Sequence, residues 1–248
     1  TYTLDAIDLK LSPQFLGELT ERMSGNLWFE LSSDDSVLLR HSENVDLLAR
    51  HEWSGLSSLP EILTAFVLPN HPVVEQVLRD AADLLQEWTG DPSLSGYQSQ
   101  DSGRIIQMAA AIYGSLQKRG LTYINPPASF EAEGQRIRLP DQIVDGGMAT
   151  CLDMAVVTAA CLEQAGLNAL LVIVQGHAFV GAWLFDECFS EQATEEPLRL
   201  RKRVDLNEIM VFDSTLVTFK PSPDFKGAMS EGARRLASPD NFRCVIDV

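Results

Sequence analysis

Short apolar runs alternate with Ser, Asp and Asn clusters through the first 56 residues. The stretch GNLWFELSSDDSVLLRHSENVDLLARHEWSG predicts two or three strands, an antiparallel β unit of the kind found in a sandwich. The period changes near Leu59. SLPEILTAFVLPN is apolar at helical spacing and stops at Pro69 and Asn70. HPVVEQVLRDAADLLQEWTG puts Val74, Val77, Leu78, Ala81, Leu84, Leu85 and Trp88 on one stripe, with Pro72 in the first turn and Gly90 past the end. After a looser segment over 91–101, SGRIIQMAAAIYGSLQKRG repeats the pattern with Ile105, Met108, Ala109, Ile112, Tyr113 and Leu116, closing at Gly120.

LTYIN reads as a short strand, and 126–149 as a long irregular stretch rich in Pro, Gly and polar residues. A helix is predicted within GMATCLDMAVVTAACLEQAG. NALLVIVQ is an almost unbroken apolar run, so it is expected to be a central strand buried on both faces. HAFVGAWLF, IMVFDSTLVTF and FRCVIDV supply further strands, and an acidic-then-basic insertion over 186–208 separates the first two of these. No internal repeat is visible.

Composition narrows the class. A chain of 248 residues with 45% hydrophobic and 22% charged content can bury a sizeable core. No apolar run approaches a membrane span, so no membrane partner is expected. The start, TYTLDAIDLK, has neither the basic opening nor the apolar centre of a signal peptide, and no initiator Met. The expectation is a segment excised from a longer cytoplasmic polypeptide, whose other domains are its partners. The formal charge of −16 repels phosphate backbones, which argues against direct nucleic-acid binding by this segment. The basic run RLRKR at 199–203 follows acidic residues and reads as a solvated, locally paired element. Cys151, Cys161, Cys188 and Cys244 are widely spaced with no CxxC pair, so a zinc ribbon is not expected and the thiols suit a reducing compartment.

Candidate chemistry gathers at one helix start. Thr150 has the character of an N-cap, with Asp153 three residues on in a variant of the capping box, and Gly166 fits the position after the C-cap. Cys151 is then the first helical residue, where unpaired amides and the helix dipole favour a thiolate. The same amides suit an oxyanion on an attacked carbonyl. Cys161, mid-helix among apolar residues, reads as packing. A cysteine nucleophile needs a base, and His177 in VIVQGHAFVGAWL lies at a strand start; His41, His51 and His71 lie well upstream. Asp213, a charged residue in an apolar strand, is the candidate orienter of that base, with capping of a turn through Ser214 and Thr215 as its plainer role. Asp186, Glu187, Asp205 and Glu208 read as surface. Gln142, Asp141 and Thr150 are candidate oxyanion donors or rim residues, and Gly146–Gly147 allow a tight approach to the helix. No metal site and no cofactor is expected, since no metal-ligand spacing supports one.

TCLDMA, GHAFVGAWL and VFDST together resemble the transglutaminase-like superfamily of the wider papain-like group. INPPASFEAEGQRIRLPDQIVDGGMATCLDMA is similar to the transglutaminase-like domain of large bacterial helicase-related proteins, over roughly residues 59–220. The resemblance implies an α+β fold, with a nucleophile helix packed on an antiparallel sheet, in a domain over 57–248 preceded by a β-rich segment over 1–56. It implies Cys151 as nucleophile, His177 as general base and acid, and Asp213 as orienter. The implied activity is acyl transfer on a protein or peptide substrate, by a peptidase or amidase before a crosslinking transglutaminase. The alternative it carries is an inactive interaction module. Two departures are Ala149 where many members have Gly, and Phe179 where transglutaminases commonly have Trp.

Overall fold

A computed structural model describes residues 10–33 and 36–248. It divides the chain into two compact units, Thr1–Glu52 and Trp53–Val248, a boundary four residues before the one expected from the sequence. Helices and antiparallel sheets make it a mixed α/β structure.

In the smaller unit, helix α1 (Pro13–Glu18) is capped by the Ser12 hydroxyl, and strands β1 (Met23–Ser33) and β2 (Ser36–Leu47) form one antiparallel hairpin. Its cross-strand pair Glu30–Arg40 closes an ion pair at 2.8 Å. This hairpin is the antiparallel β unit read from the sequence, and it is the one sheet formed within the described residues of this unit. The ribbon has no second sheet within it to bury its apolar side chains, so Trp28 is 72% exposed.

The larger unit begins with two long helices, α2 (Pro72–Thr89) and α3 (Ser102–Gln117), whose predicted stripes are buried except for Trp88 in the last turn of α2. The apolar stretch before them is a 3-10 helix, Pro60–Phe66, rather than an α-helix. Strand β3 (Thr122–Tyr123) follows. The stretch over 126–149, expected to be irregular, contains helix α4 (Phe130–Glu133) and helix α5 (Pro140–Gly146), each too short for a periodic signal. Gly147, at φ 63°, then turns the chain into β4 (Met148–Ala149), which pairs in parallel with β3. Helix α6 (Cys151–Gln164) leads into the main sheet.

That sheet is built from β5 (Ala169–Val174), β6 (His177–Trp183), β7 (Ala193–Thr194), β8 (Ile209–Phe212) and β9 (Phe242–Asp247), in the spatial order β8–β6–β5–β9–β7, antiparallel throughout. Both faces are buried, which is why β5 reads as a continuous apolar run. Ala169, Leu171 and Ile173 of β5, with Ala178, Val180 and Ala182 of β6, join the core under α6. Leu170, Val172 and Val174, with Phe179 and Trp183, face a second core with Leu200 of α7 (Pro197–Asp205) and Leu236 of α8 (Phe225–Leu236). The insertion over 186–208 is anchored by Leu200, by Phe189, whose ring meets Trp183 at 4.9 Å, and by β7, while Arg199 pairs with Glu191 and Glu196, and Arg203 with Glu208. The strand expected over 209–219 ends at Phe212. Asp213 caps a 3-10 turn, Ser214–Thr218, by accepting from the Thr215 amide. No helix among the described residues is long and apolar enough to cross a membrane.

Candidate active site

The start of α6 is built by side chains that satisfy its free amides. Thr150 Oγ1 accepts from the Asp153 amide at 3.2 Å, and Asp153 Oδ2 accepts from the Thr150 amide at 2.9 Å, closing the capping box. The incoming loop reinforces it. Arg138 donates to Asp153 from its backbone at 2.8 Å and its guanidinium at 2.9 Å, and Gln135 Nε2 donates to Thr150 Oγ1 at 3.0 Å. Gln135, 4% exposed, has no hydrogen-bond partner for its own oxygen.

Cys151 stands at the first helical position and is 0% exposed. Around its sulfur stand the Leu152 and Ala178 amides and the Tyr123 hydroxyl, each of which favours the thiolate. Tyr123 arrives there through β3, whose register sets it opposite Ala149 of β4. Burial pushes the Cys151 thiol up to about 11. The field of Asp213 works in the same direction, and the hydrogen bonds to Ala178, Tyr123 and Leu152 offset only part of the rise. Burial thus works against the thiolate that the helix end favours. Burial raises the Tyr123 hydroxyl too, and the neighbouring thiol adds to it.

His177 opens β6 after the two-residue turn at Gln175–Gly176 and is 7% exposed. Its Nε2 lies 3.0 Å from Asp213 Oδ2. A carboxylate only accepts, so Nε2 is the donor of this bond, and whenever the ring is neutral Nδ1 keeps the lone pair. Asp213 has every acceptor position engaged: Oδ1 takes the Thr215 amide at 3.0 Å and its hydroxyl at 2.6 Å, and Oδ2 also takes Arg235 Nε at 2.8 Å. Burial works to raise this carboxyl. The His177 hydrogen bond and charge, the Thr215 hydroxyl and the Arg235 charge overcome that and hold it at about 2.

The structure thus joins His177 and Asp213 directly and sets Cys151 against the residue after His177. No hydrogen bond runs from sulfur to imidazole. The His177 ring instead stacks on that of Phe179, two residues on, at a centroid distance of 6.4 Å.

No family model matches the sequence, and no curated protein matches it. Among solved structures, the chain is similar to the crystal structure of a putative protease from Parabacteroides distasonis, at 15% identity and a TM-score of 0.26. The overlap takes in 66% of this chain and 36% of that one. A likeness this loose carries no argument about fold or chemistry.

The remaining candidates are placed elsewhere. Gln142 is the third residue of α5, and its Oε1 accepts from the Leu139 amide at 3.2 Å, capping that helix. Asp141 lies 3.5 Å from His71 Nε2, at the start of α2. Thr150 serves as cap. Cys161 is buried mid-helix, and burial raises its thiol to about 12. Among the described residues, no group of three or more His, Cys, Asp or Glu is placed to hold a metal. Two residues in the site, Tyr123 and Arg235, were not found from sequence. Tyr123 belongs to a two-residue strand, and Arg235 to a helix about twenty residues beyond Asp213.

Proposed function

We propose that the larger unit is a cysteine-dependent acyl-transfer domain with a transglutaminase-like core, acting as a peptidase or amidase on a protein or peptide substrate. The observation that carries this reading is the buried His177–Asp213 pair together with a buried cysteine at the first position of a capped helix, close to the Leu152 and Ala178 amides. In the working state the Tyr123 hydroxyl leaves the sulfur and His177 Nδ1 takes its place. Nδ1 accepts the thiol proton as sulfur attacks the amide carbonyl, and the amides of Leu152 and Ala178 are the nearest donors for the resulting oxyanion. The imidazolium returns that proton to the departing amine as the carbon–nitrogen bond breaks. Water, deprotonated by the same Nδ1, then hydrolyses the thioester and regenerates the thiol. Asp213 holds the ring and balances the imidazolium, as an orienting carboxylate does.

One observation favours a second reading, an interaction module that does not turn over within a longer polypeptide. The thiol is fully covered and raised to about 11, a state with almost no nucleophile at neutral pH. A library of peptide amides incubated with the unaltered protein, Cys151→Ala and His177→Asn separates the two. Hydrolysis by the unaltered protein alone, with an acyl adduct trapped on Cys151, supports acyl transfer. Hydrolysis unchanged in Cys151→Ala, or none in any of the three, refutes it.

A further inference from the structure

The carboxylate beside His177 has a second cation. Arg235 lies on α8, which approaches β8 closely because Gly232 has no side chain: a Cβ there would come within 2.9 Å of the Phe212 backbone. One turn on, Arg235 Nε reaches the Asp213 oxygen that His177 also contacts, and Glu231 Oε1 lies 3.2 Å from the same nitrogen. Two contacts of 2.8 and 3.0 Å to one oxygen put guanidinium and imidazole less than about 6 Å apart. Asp213 is therefore not the isolated counter-charge of an imidazolium, because a permanent cation already shares it.

We propose that Arg235 is a positioning residue of this site, which fixes the direction of the Asp213 carboxylate and cancels enough of its charge to keep His177 in the neutral, proton-accepting form. The geometry stands by itself; its catalytic consequence rests on the acyl-transfer reading. Both halves follow from the contacts. With Thr215 on one oxygen and Arg235 on the other, the carboxylate cannot rotate away from Nε2. A fixed positive charge at that range also disfavours a second positive charge on the ring. The other charged or titratable groups around the pair are Cys151 of α6, Tyr123 of β3, Tyr113 of α3, Glu231 and Arg234 of α8, and Glu131 of α4, whose carboxylate accepts from the Gly176 amide at 3.3 Å. The other cation, Arg234, bonds to Glu231, so Arg235 is the arginine that reaches the Asp213 carboxylate directly.

The test compares the full chain with Arg235→Gln and Arg235→Lys, following the ring nitrogens of His177 by NMR from about pH 5 to pH 9. Without the cation, the ring of Arg235→Gln takes its second proton at a pH about one unit higher than in the unaltered protein. Arg235→Lys keeps the charge and moves by a few tenths at most. Hydrolysis, where present, shows its acid limb displaced in the same direction in the glutamine variant only. Coincident ring titrations in Arg235→Gln and the unaltered protein overturn the proposal. If Arg235→Gln does not fold, Arg235→Met, of similar length, carries the same comparison. Absence of hydrolysis in every protein defeats the acyl-transfer reading, while the ring titrations still decide the role of Arg235.

Discussion

Site-resolved alkylation of the four free cysteines measures how far burial governs the candidate nucleophile. Their surroundings differ: Cys188 is exposed, and Cys151, Cys161 and Cys244 are buried. Burial raises Cys151 from 9.0 to about 11, and Cys161 and Cys244 to about 12. A two-unit rise leaves about one hundredth of the thiolate that an ordinary cysteine carries, so at about pH 8 roughly 0.1% of Cys151 is ionised against roughly 10% at the unshifted value. Only the thiolate reacts. With iodoacetamide at about pH 8 and peptide mass spectrometry after quenching, Cys188 is therefore expected to react at least ~100-fold faster than Cys151. Cys161 and Cys244 become labelled only when the protein unfolds. Raising the pH speeds Cys151 about tenfold per unit up to the limit set by its own ionisation. If Cys151 matched Cys188 at about pH 8, the helix terminus and its amides would outweigh burial, and the closed-site account would be wrong.

Three further outcomes follow from the same contacts. Replacing Tyr123 by Ala uncovers and hydrates the sulfur, so Cys151 labelling at about pH 8 rises by roughly tenfold or more; an unchanged rate means that other side chains close the site. The Asp213 carboxyl is lower in the folded protein than its ordinary 3.8, at about 2, so it contributes roughly 2.5 kcal/mol that is present above about pH 4 and lost as pH falls through about 2. Urea midpoints should show that acid-dependent loss in the unaltered protein and not in Asp213→Asn. Thr150→Ala removes the cap of α6 and the acceptor of the buried Gln135 amide, for a loss of about 2 kcal/mol in urea unfolding. Thr150→Ser should retain most of that stability, and equal losses in the two variants would show that the hydroxyl is not what matters.

Local features with a strong chemical signature were legible in the sequence. Thr150 and Asp153 announce the start of α6, and the apolar run of β5 announces a strand with a neighbour on each side. What escaped depends on tertiary placement. Tyr123 meets Cys151 only because β3 and β4 pair in parallel across about two dozen residues, a register that two-residue strands do not encode by periodicity. Arg235 reads as one of several basic residues at the end of an amphipathic helix until Gly232 brings that helix against β8. The dipole argument for a Cys151 thiolate holds for an exposed helix end, and burial, which sequence does not report, works against it. Asp213 shows the opposite case, since capping a turn and bonding His177 use its two different oxygens and both occur.

The place of β9 in the sheet has a consequence during synthesis. This strand lies between β5 and β7, so an interior position is filled by residues that leave the ribosome some ninety residues after Cys151. Until then, the β5 edge that will carry β9 is unpaired, a template for other chains. The Asn241 carbonyl that receives the Gln175 amide, two residues before His177, is not yet there either. A nascent chain stalled before residue 242 would therefore present an open strand edge and an unfinished turn beside the imidazole, making it a natural client for a chaperone.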